Sequence, residues 1–264
     1  TGVSGLADLA VDTDEQALDA IKRFLSYLPS HCNEPPPVHP VPAGSDEACQ
    51  KMLEIVPELR NKVYDVRKVI KAIADTDSTF ELKERFGKSI ATVLARLDGK
   101  SVGFIANNPL FKGGALDADA CQKITSFMVL CDSFNVPLVF LVDVPGFLIG
   151  VEGEMRGMPG KVINWMNAMS QVTVPKITVI MRKSYGQAYI NMAGGKGADE
   201  VALWPTADLG FMDPAVSVNV LFGVKQEDDP ERFKELVAEV QRDTSAWGLA
   251  ELYEAQTVID PRET

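Results

Sequence analysis

Residue types that carry enzyme chemistry on their side chains are scarce in this sequence. Its 264 residues include two histidines, His31 and His39, which lie close to prolines and far from every other candidate position, so neither is assigned to catalysis. No pattern typical of a catalytic triad or a metal cluster is recognisable. We therefore expect any chemistry to depend on main-chain donors, and we predict no bound metal.

Cysteine is equally sparse, with four residues that show no CxxC or other metal-ligand spacing: Cys32, Cys49, Cys121 and Cys131. The last two fall within one predicted helical stretch. We interpret them as buried thiols rather than a disulfide, and the whole set as reduced core cysteines of a cytosolic protein.

Positive charge and long apolar runs are also lacking. The chain has 26 Lys and Arg residues against 37 Asp and Glu residues, a formal net charge of −11. Such an acidic surface argues against nonspecific binding to nucleic acid or to an anionic membrane, and an anionic substrate would need a local basic or dipolar site. No apolar run reaches the ~18 residues of a membrane-spanning helix, and no signal peptide is recognisable. We expect a soluble, cytoplasmic protein.

Apolar strand-like runs that alternate with helical patterns are abundant. The runs at 138–142 and 177–181 lack polar alternation, which is typical of strands covered on both faces. Their separation by helices predicts a layered α/β fold with right-handed crossovers and ligands at the carboxyl ends of the strands. The predicted elements are a short helix after Asp12-Thr13-Asp14, an extended proline-rich connector at 34–42, helices at 65–74, about 117–134, 158–171, from 187 and 231–246, and strands at 137–143, 176–181 and near 208–212.

One β-hairpin is signalled clearly. Two β-rich runs, 89–97 and 100–106, flank the dipeptide Asp98-Gly99. Because Asp-Gly suits the positive φ angles of a tight turn, the segment predicts an antiparallel hairpin.

The end of the second buried run is the leading candidate for a site. The run stops at Tyr185-Gly186, and small or helix-forming residues then open a helix. The first N–H groups of such a helix have no intrahelical partners, so they can bind an anion or a developing oxyanion. A plain strand–helix junction with solvent on its N–H groups is the alternative. Arg182 and Lys183 are candidates for an anionic ligand, or else a solvated pair.

Other strand ends carry unusual loops. In Asp143–Gly150, the sequence Pro145-Gly146-Phe147 allows backbone and an aromatic ring to approach a flat ligand, with a surface loop as the alternative. Asn107-Asn108-Pro109 ends the second strand of the hairpin, where the Asn107 amide can bind a ligand or form a plain turn. Asp213-Pro214 repeats the pattern at a further strand end.

Ordered motifs over nearly the whole chain carry a family resemblance. They are residues 64–70 (YDVRKVI), 102–107 (VGFIAN), 131–139 (CDSFNVPLV), 142–147 (VDVPGF), 182–189 (RKSYGQAY), 197–199 (GAD), 204–206 (WPT) and 259–264 (IDPRET). With these motifs the chain resembles the carboxyl-terminal half of the carboxyltransferase (beta) subunit of biotin-dependent acyl-CoA carboxylases of the propionyl-CoA type, within the crotonase-like superfamily.

The resemblance implies an α/β, crotonase-like ββα superhelix (ClpP/crotonase fold) that is one half of a carboxyltransferase. Residues 1–77 would be N-terminal helices and a proline-rich connector from the missing amino half, and residues 78–264 the carboxyl-terminal domain. Such enzymes transfer a carboxyl group from carboxybiotin to the α-carbon of a short-chain acyl-CoA. The amino half of one subunit grips CoA, and the carboxyl half of another receives biotin. We therefore expect a fragment, or a subunit with a separate amino-half chain, that is inactive alone.

The resemblance also implies roles for individual residues. The N–H groups of Gln187 and Ala188 hold the ureido oxygen of biotin, and freed biotin then deprotonates the acyl-CoA, so no side-chain base is required. Ile190 falls where the family tunes its acyl pocket. The residues implied on the biotin side are Gly146, Phe147, Asn107, Tyr185 and Gly186.

Two positions depart from the family pattern. Gln187 stands where a second glycine is common, so a Cβ restricts the backbone while the side-chain amide offers a further donor. Asp213-Pro214 replaces a glycine-containing turn at the pocket wall.

The implied partners are the amino-terminal carboxyltransferase half, a biotin carboxylase and a biotin carrier protein. They would act within a homo-oligomer, which in the full-length enzyme is a dimer-based hexamer. Nucleic acid is not implied, nor a membrane unless the protein belongs to a decarboxylase pump. Two alternatives stay open: a biotin-dependent acyl-CoA decarboxylase subunit, which runs the same half-reaction in reverse, and a non-catalytic crotonase-like assembly scaffold, which Gln187 favours.

Overall fold

The strand-forming runs assemble into one mixed β-sheet in this computed structural model, which describes residues 1–264 apart from the side chains of Asp46 and Asp243. The strands are β1 (Phe80–Leu82), β2 (Ile90–Leu97), β3 (Lys100–Asn107), β4 (Leu138–Val144), β5 (Lys176–Tyr185), β6 (Glu200–Leu203), β7 (Asp208–Gly210) and β8 (Thr257–Val258). They lie in the order β1-β2-β3-β4-β5-β6-β8, with β7 paired to β5. The first three are antiparallel, and the pairs from β3 onward are parallel, so β3, β4 and β5 end at one edge of the sheet.

Helices connect the strands and cover both faces of the sheet. They are α1 (Asp14–Leu25), α2 (Met52–Ile55), α3 (Val66–Ile73), α4 (Ala118–Ser133), α5 (Val151–Met155), α6 (Met158–Gln171), α7 (Gly186–Asn191), α8 (Pro214–Phe222), α9 (Pro230–Thr244) and α10 (Ala246–Glu251). Several begin at a side-chain oxygen that accepts a hydrogen bond from an N–H of the first turn. These capping residues include Thr13, Asp65, Asp117, Asp213 and Asp229.

The predicted hairpin is confirmed, and its turn shows why this dipeptide is needed. The two turn residues, Asp98 and Gly99, have φ angles of 51° and 74°. Their N–H groups donate to the carboxylate of Asp75 at 3.1 and 2.8 Å. A Cβ on Gly99 would overlap the carbonyl oxygen of His39, so only glycine fits there.

Two apolar cores lie on opposite faces of the sheet. One contains Trp165 of α6 and Phe127 of α4, and the other contains Ile70 of α3 and Trp204. Strands between two such layers are apolar on both faces, which explains why β4 and β5 show no polar alternation. Residues before position 78 contribute to both cores, and the division at residue 77 stays a prediction.

Several short elements escape prediction from the sequence. β1, β6 and β8 have two to four residues each, too few for a period to show. The segment after Gly150, where the sequence predicts neither helix nor strand before residue 158, contains α5. β5 continues past Met181 to Tyr185, because β7 pairs with its last three residues. Asp213-Pro214 is not a bare turn but the start of α8.

The cysteines divide into two groups. Cys121 and Cys131 are buried, as predicted, and burial raises the pKa of Cys121 to about 12 and also raises the pKa of Cys131. Cys32 is exposed and Cys49 half-buried, so the prediction that all four are core residues is wrong.

Candidate functional site

The chain turns abruptly between the end of β5 and the start of α7. Tyr185 is the last strand residue and the N-cap of α7, and its side chain makes no capping hydrogen bond. Gly186 follows with a φ angle of 60°, and a Cβ there would lie 3.0 Å from the carbonyl oxygen of Phe211. Glycine is therefore strongly favoured at this position, where the chain turns from β5 into α7.

The N–H groups of Gln187 and Ala188 open α7. Among the described residues, no hydrogen bond of a turn, loop or helix cap uses either of them. Ala188 is buried, whereas Gln187 is exposed. Both N–H groups are thus left without an acceptor among these hydrogen bonds, as is usual in the first turn of a helix.

The side chain of Gln187 is held against the neighbouring helix. Its Nε2 donates to Oδ1 of Asn191 at 2.9 Å and lies 3.4 Å from Sδ of Met166. Asn191 is buried, so this contact ties the Gln187 amide to the body of α7. The further donor expected from the Gln187 side chain is thus used inside the chain.

The loop after β4 meets α6 and α7 around an apolar groove. The groove has a volume of about 310 Å³, and its lining includes Phe147, Ile163, Met166 and Gln187. The ring of Phe147 packs edge-on against Trp165, with centroids 6.3 Å apart. Gly146, at a φ angle of 142°, turns the chain just before this ring. The structure thus brings Phe147 and Gln187, which are distant in sequence, to one groove.

Asn107 does not line this groove but lies in the interior of the chain. Its side chain is fully buried, and Oδ1 accepts a hydrogen bond from the N–H of Asp143 at 3.2 Å. Its Nδ2 lies 3.5 Å from the carbonyl oxygen of Gly114. Asn107 therefore joins the ends of β3 and β4 and supports the 143–150 loop, and a role for it on the biotin side stays a prediction.

Arg182 is neither solvated nor free for an anionic ligand. Its side chain is 1% exposed, and its Nε and Nη2 donate to Oδ2 of Asp143 at 2.9 and 2.6 Å. Its Nη1 donates to the carbonyl oxygens of Pro57, Leu59 and Lys62 at 2.9–3.0 Å. All three guanidinium nitrogens therefore donate within the chain, and Nη1 fastens the 57–62 loop to the sheet.

Two other groups complete this buried cluster. The hydroxyl of Tyr64 donates to Oδ2 of Asp143 at 3.1 Å, and the guanidinium of Arg182 lies 4.8 Å from the Tyr64 ring centroid. Burial, together with the Asp143 charge, raises the pKa of Tyr64 well above its ordinary value. Nζ of Lys183 lies 3.5 Å from Oδ1 of Asp143, so this lysine is also paired within the chain.

A second buried cluster lies beside the first. The hydroxyl of Tyr185 donates to Oδ2 of Asp208 at 2.7 Å, and Arg60 forms an ion pair with the same oxygen. Burial and the Asp208 charge raise the pKa of Tyr185, so its hydroxyl stays protonated. Sequence reasoning missed Arg60 and Asp208 as site residues. Arg60 lies in the 57–62 loop and Asp208 begins β7, so no local pattern in the sequence pairs them.

A family model of the carboxyl transferase domain matches residues 1–264. The chain belongs to the carboxyl transferase domain family.

Individual relatives of this carboxyl transferase domain agree with the match. The carboxyltransferase subunit of propionyl-CoA carboxylase from Haloferax mediterranei is 41% identical over 270 residues, which cover 100% of this chain and 52% of that protein. The alpha subunit of methylmalonyl-CoA decarboxylase from Veillonella parvula is 36% identical over 266 residues, covering 99% of this chain and 51% of that protein. The chain thus spans about half the length of these relatives.

The fold comparison gives the same result. The crystal structure of transcarboxylase 12S superposes on this chain with a TM-score of 0.92 at 36% identity, covering 99% of this chain and 51% of that one. The predicted crotonase-like α/β fold is thereby confirmed.

Two further observations concern binding sites and membranes. Among the described side chains, no group of three or more His, Cys, Asp or Glu residues is arranged to hold a metal ion. Within the same described part of this carboxyl transferase domain, none of the helices combines the length and apolar character needed to cross a bilayer.

Proposed function

We propose that this chain supplies the biotin-side half of an acyl-CoA carboxyltransferase site in the cytoplasm. The observation that carries the proposal is the pair of N–H groups on Gln187 and Ala188, which turns and caps of the described residues leave without an acceptor. The apolar groove that reaches from Gln187 to Phe147 supports it, because a flat ring can lie there beside the donors. Family membership supports the same reaction type.

The chemistry of the donors fits biotin. Carboxybiotin, delivered on a carrier domain, would supply the carboxyl group. Its ureido oxygen is a hydrogen-bond acceptor, and Gln187 and Ala188 offer two main-chain donors with no reorganisation needed. Preorganised donors of this kind stabilise developing negative charge by about 3–4 kcal/mol each. Gly146, Phe147, Tyr185 and Gly186 would shape the approach, and Asn107 would support it from inside.

The main chain, and not a side chain, would stabilise the negative charge, because the nearby cationic side chains already pair with groups of the chain itself. Arg182 is held by Asp143 and three carbonyl oxygens, and Lys183 pairs with the same carboxylate. Among the described side chains at the start of α7, none is a histidine or cysteine that could act as a base. This supports a reaction in which the chain contributes binding and charge stabilisation rather than proton transfer.

Ile190 would contact the acyl group of the acyl-CoA. It lies one turn into α7, two residues beyond Ala188, and its side chain is 49% exposed. An apolar residue at this point suits a short or branched acyl chain such as propionyl. Propionyl-CoA and methylmalonyl-CoA in the names of the two relatives support this substrate class.

The amino-terminal half of a carboxyltransferase would complete the site. Large apolar side chains around α5, α7 and α8 are exposed in this chain: Ile149 at 96%, Met155 at 82%, Phe211 at 84% and Leu221 at 70%. An apolar surface of this kind is normally covered by another protein surface. We propose that the amino half covers it within a homo-oligomer that also engages a biotin carboxylase and a biotin carrier protein. The hexamer assembly described for transcarboxylase 12S supports an oligomer.

Reconstitution tests the proposal. The chain is combined with an amino half from a related carboxyltransferase and with a carrier protein whose carboxybiotin has a radiolabelled carboxyl group. We expect label to move to propionyl-CoA only when both halves are present. No transfer to any short-chain acyl-CoA in a complex that has assembled would overturn the proposal.

A decarboxylase subunit is the second candidate, favoured by the 36% identity to the methylmalonyl-CoA decarboxylase alpha subunit. The same residues would serve, because the half-reaction is identical in reverse. The two candidates are distinguished by the direction of net transfer with a full set of partner subunits. Net decarboxylation of methylmalonyl-CoA by the full set of subunits, without net carboxylation of propionyl-CoA, supports the decarboxylase.

A further inference from the structure

We infer that Tyr185, Asp208 and Arg60 form a positioning network that sets the Gln187 and Ala188 N–H pair. The inference rests on the proposed function, since it concerns the geometry of that donor pair. Arg60 and Asp208 would touch neither the substrate nor biotin, and the Tyr185 hydroxyl is held by Asp208. They would act through the backbone that enters α7.

The first link joins the end of β5 to β7. Parallel pairing places Tyr185 opposite Gly210 and Lys183 opposite Asp208. The Asp208 side chain is 2% exposed, and its Oδ2 accepts the Tyr185 hydroxyl at 2.7 Å. Because the Tyr185 side chain bonds to Asp208 rather than capping α7, its ring is anchored to a neighbouring strand.

The second link transmits this anchor to the donors. Tyr185 is the residue directly before Gly186, whose φ angle of 60° turns the chain into α7. The position of the Tyr185 Cα therefore determines where the turn begins. This turn sets the orientation of the N–H groups of Gln187 and Ala188. A displacement of about 1 Å at such donors costs on the order of 100-fold in rate.

The third link is Arg60, which neutralises Asp208. Nη1 of Arg60 pairs with Oδ2 of Asp208 and lies 3.2 Å from the Tyr185 hydroxyl oxygen. The other oxygen of Asp208, Oδ1, is buried and has no hydrogen-bond partner among the described residues. This buried carboxylate has few partners and depends on its counterion, so loss of Arg60 would displace Asp208 and release Tyr185.

The position of Arg60 in the chain makes the network extend beyond β5. Arg60 belongs to the 57–62 loop, and three carbonyl oxygens of that loop bind Arg182 of β5. The loop is therefore fastened to β5 on both sides of residues 183–184. The Arg60 side chain is 34% exposed, so this fastening can be altered without opening either core.

The test compares Tyr185→Phe with Tyr27→Phe. Each substitution removes one buried hydroxyl that donates a hydrogen bond, but Tyr27 bonds to the carbonyl oxygen of Ser78 near the β1 edge of the sheet. Both variants are measured in the reconstituted complex for kcat and for the KM of the acyl-CoA. Amide hydrogen exchange of residues 186–191 is measured by mass spectrometry on the full chain.

The expected result is specific to Tyr185. Tyr185→Phe should lower kcat by roughly 10–100-fold, with the KM of the acyl-CoA changed less than about threefold, and should speed exchange at 186–191 by about tenfold. Tyr27→Phe should leave both measurements at the wild-type value. Arg60→Met should reproduce the Tyr185→Phe profile, and Arg60→Lys, which keeps the charge, should recover part of the lost kcat.

Two outcomes separate this inference from the proposed function. If the wild-type complex is active and Tyr185→Phe behaves like Tyr27→Phe in both assays, the network has no positioning role and the proposed function stands. If the wild-type complex is inactive, the proposed function fails, and only the hydrogen-exchange measurement then tests the positioning network. Unchanged exchange at 186–191 in Tyr185→Phe would then overturn it.

Discussion

Arg182 and Asp143 form a buried ion pair that joins the ends of two adjacent parallel strands. Nε and Nη2 of the arginine lie 2.9 and 2.6 Å from one carboxylate oxygen, and the two side chains are 1% and 0% exposed. The remaining Nη1 holds three carbonyl oxygens of the 57–62 loop. The pair therefore fixes the edge of the sheet where the candidate site lies, and it leaves anion stabilisation to the main chain.

Arg182→Met should destabilise the fold strongly. Removing one partner leaves the Asp143 charge buried without compensation, which costs about 3–5 kcal/mol in the free energy of unfolding. The matched control is Arg232→Met on α9, because that arginine pairs with Glu235 at the surface, where ion pairs contribute about 0–1 kcal/mol. Urea unfolding of both variants measures the difference. Equal losses would show that the buried pair is not a stabilising element.

The sequence identifies this region only in part. Buried strands, the Asp98-Gly99 hairpin and the helix that follows Gly186 have periodic or turn signals that depend on neighbouring residues alone. The partners of Arg182 lie 39 residues away at Asp143 and more than 100 away in the 57–62 loop, and no local pattern pairs them. The same holds for Arg60 with Asp208. Long-range polar pairing is set by the fold, so it became visible only with the strands in register.

Gly186→Ala tests whether the turn into α7 requires glycine. The substitution places a side chain at a φ angle of 60° and a Cβ 3.0 Å from the carbonyl oxygen of Phe211. Gly223→Ala is the control, since Gly223 has a φ angle of 66° with no heavy atom within 4 Å of its Cβ position. The positive φ angle alone costs about 1–2 kcal/mol, and Gly186→Ala should cost more than Gly223→Ala in thermal unfolding. Carboxyl transfer in the reconstituted complex should fall only for Gly186→Ala.

Gln187→Pro and Gln187→Ala separate the roles of the Gln187 N–H and its side chain. Proline deletes the N–H in the first turn of α7, where a helix tolerates it, whereas alanine keeps the N–H and removes the amide that bonds Asn191. We expect Gln187→Pro to lower carboxyl transfer by about 100- to 1,000-fold and Gln187→Ala to lower it less than tenfold. Free biotin binding is measured in parallel. Binding that Gln187→Pro leaves intact would favour the non-catalytic scaffold.

Lys123 should make the stability of the chain depend on pH above neutrality. Its side chain is fully buried, with Nζ donating to the carbonyl oxygens of Phe86 and Ile90 at 3.0 and 2.7 Å. Burial lowers the pKa of Lys123 from 10.5 to about 8. Between these values the unfolded chain binds a proton that the folded chain does not, so the free energy of unfolding should rise from pH 8 to pH 10.5.

The pKa shift of Lys123 also gives the expected size of this change in the free energy of unfolding. A shift of this size corresponds to about 3 kcal/mol over the whole window. Urea unfolding at several pH values should show the rise in the wild type and lose it in Lys123→Met. The control, Lys68→Met, replaces an exposed lysine of α3 and should keep the wild-type slope. A slope that survives in Lys123→Met would assign the pH dependence to other groups.

Ile190→Ala should widen the choice of acyl chain without harming the fold. The Ile190 side chain is 49% exposed, so its removal creates no internal cavity and should cost little stability. A methylene in an apolar pocket is worth about 1–3 kcal/mol of discrimination, so the ratio of kcat/KM for butyryl-CoA over propionyl-CoA should rise by at least about tenfold. Ile177→Ala is the matched control, because Ile177 is 42% exposed at the opposite end of β5. An equal ratio in both variants would place the acyl chain away from α7, and the pocket wall would then have to come from the amino half.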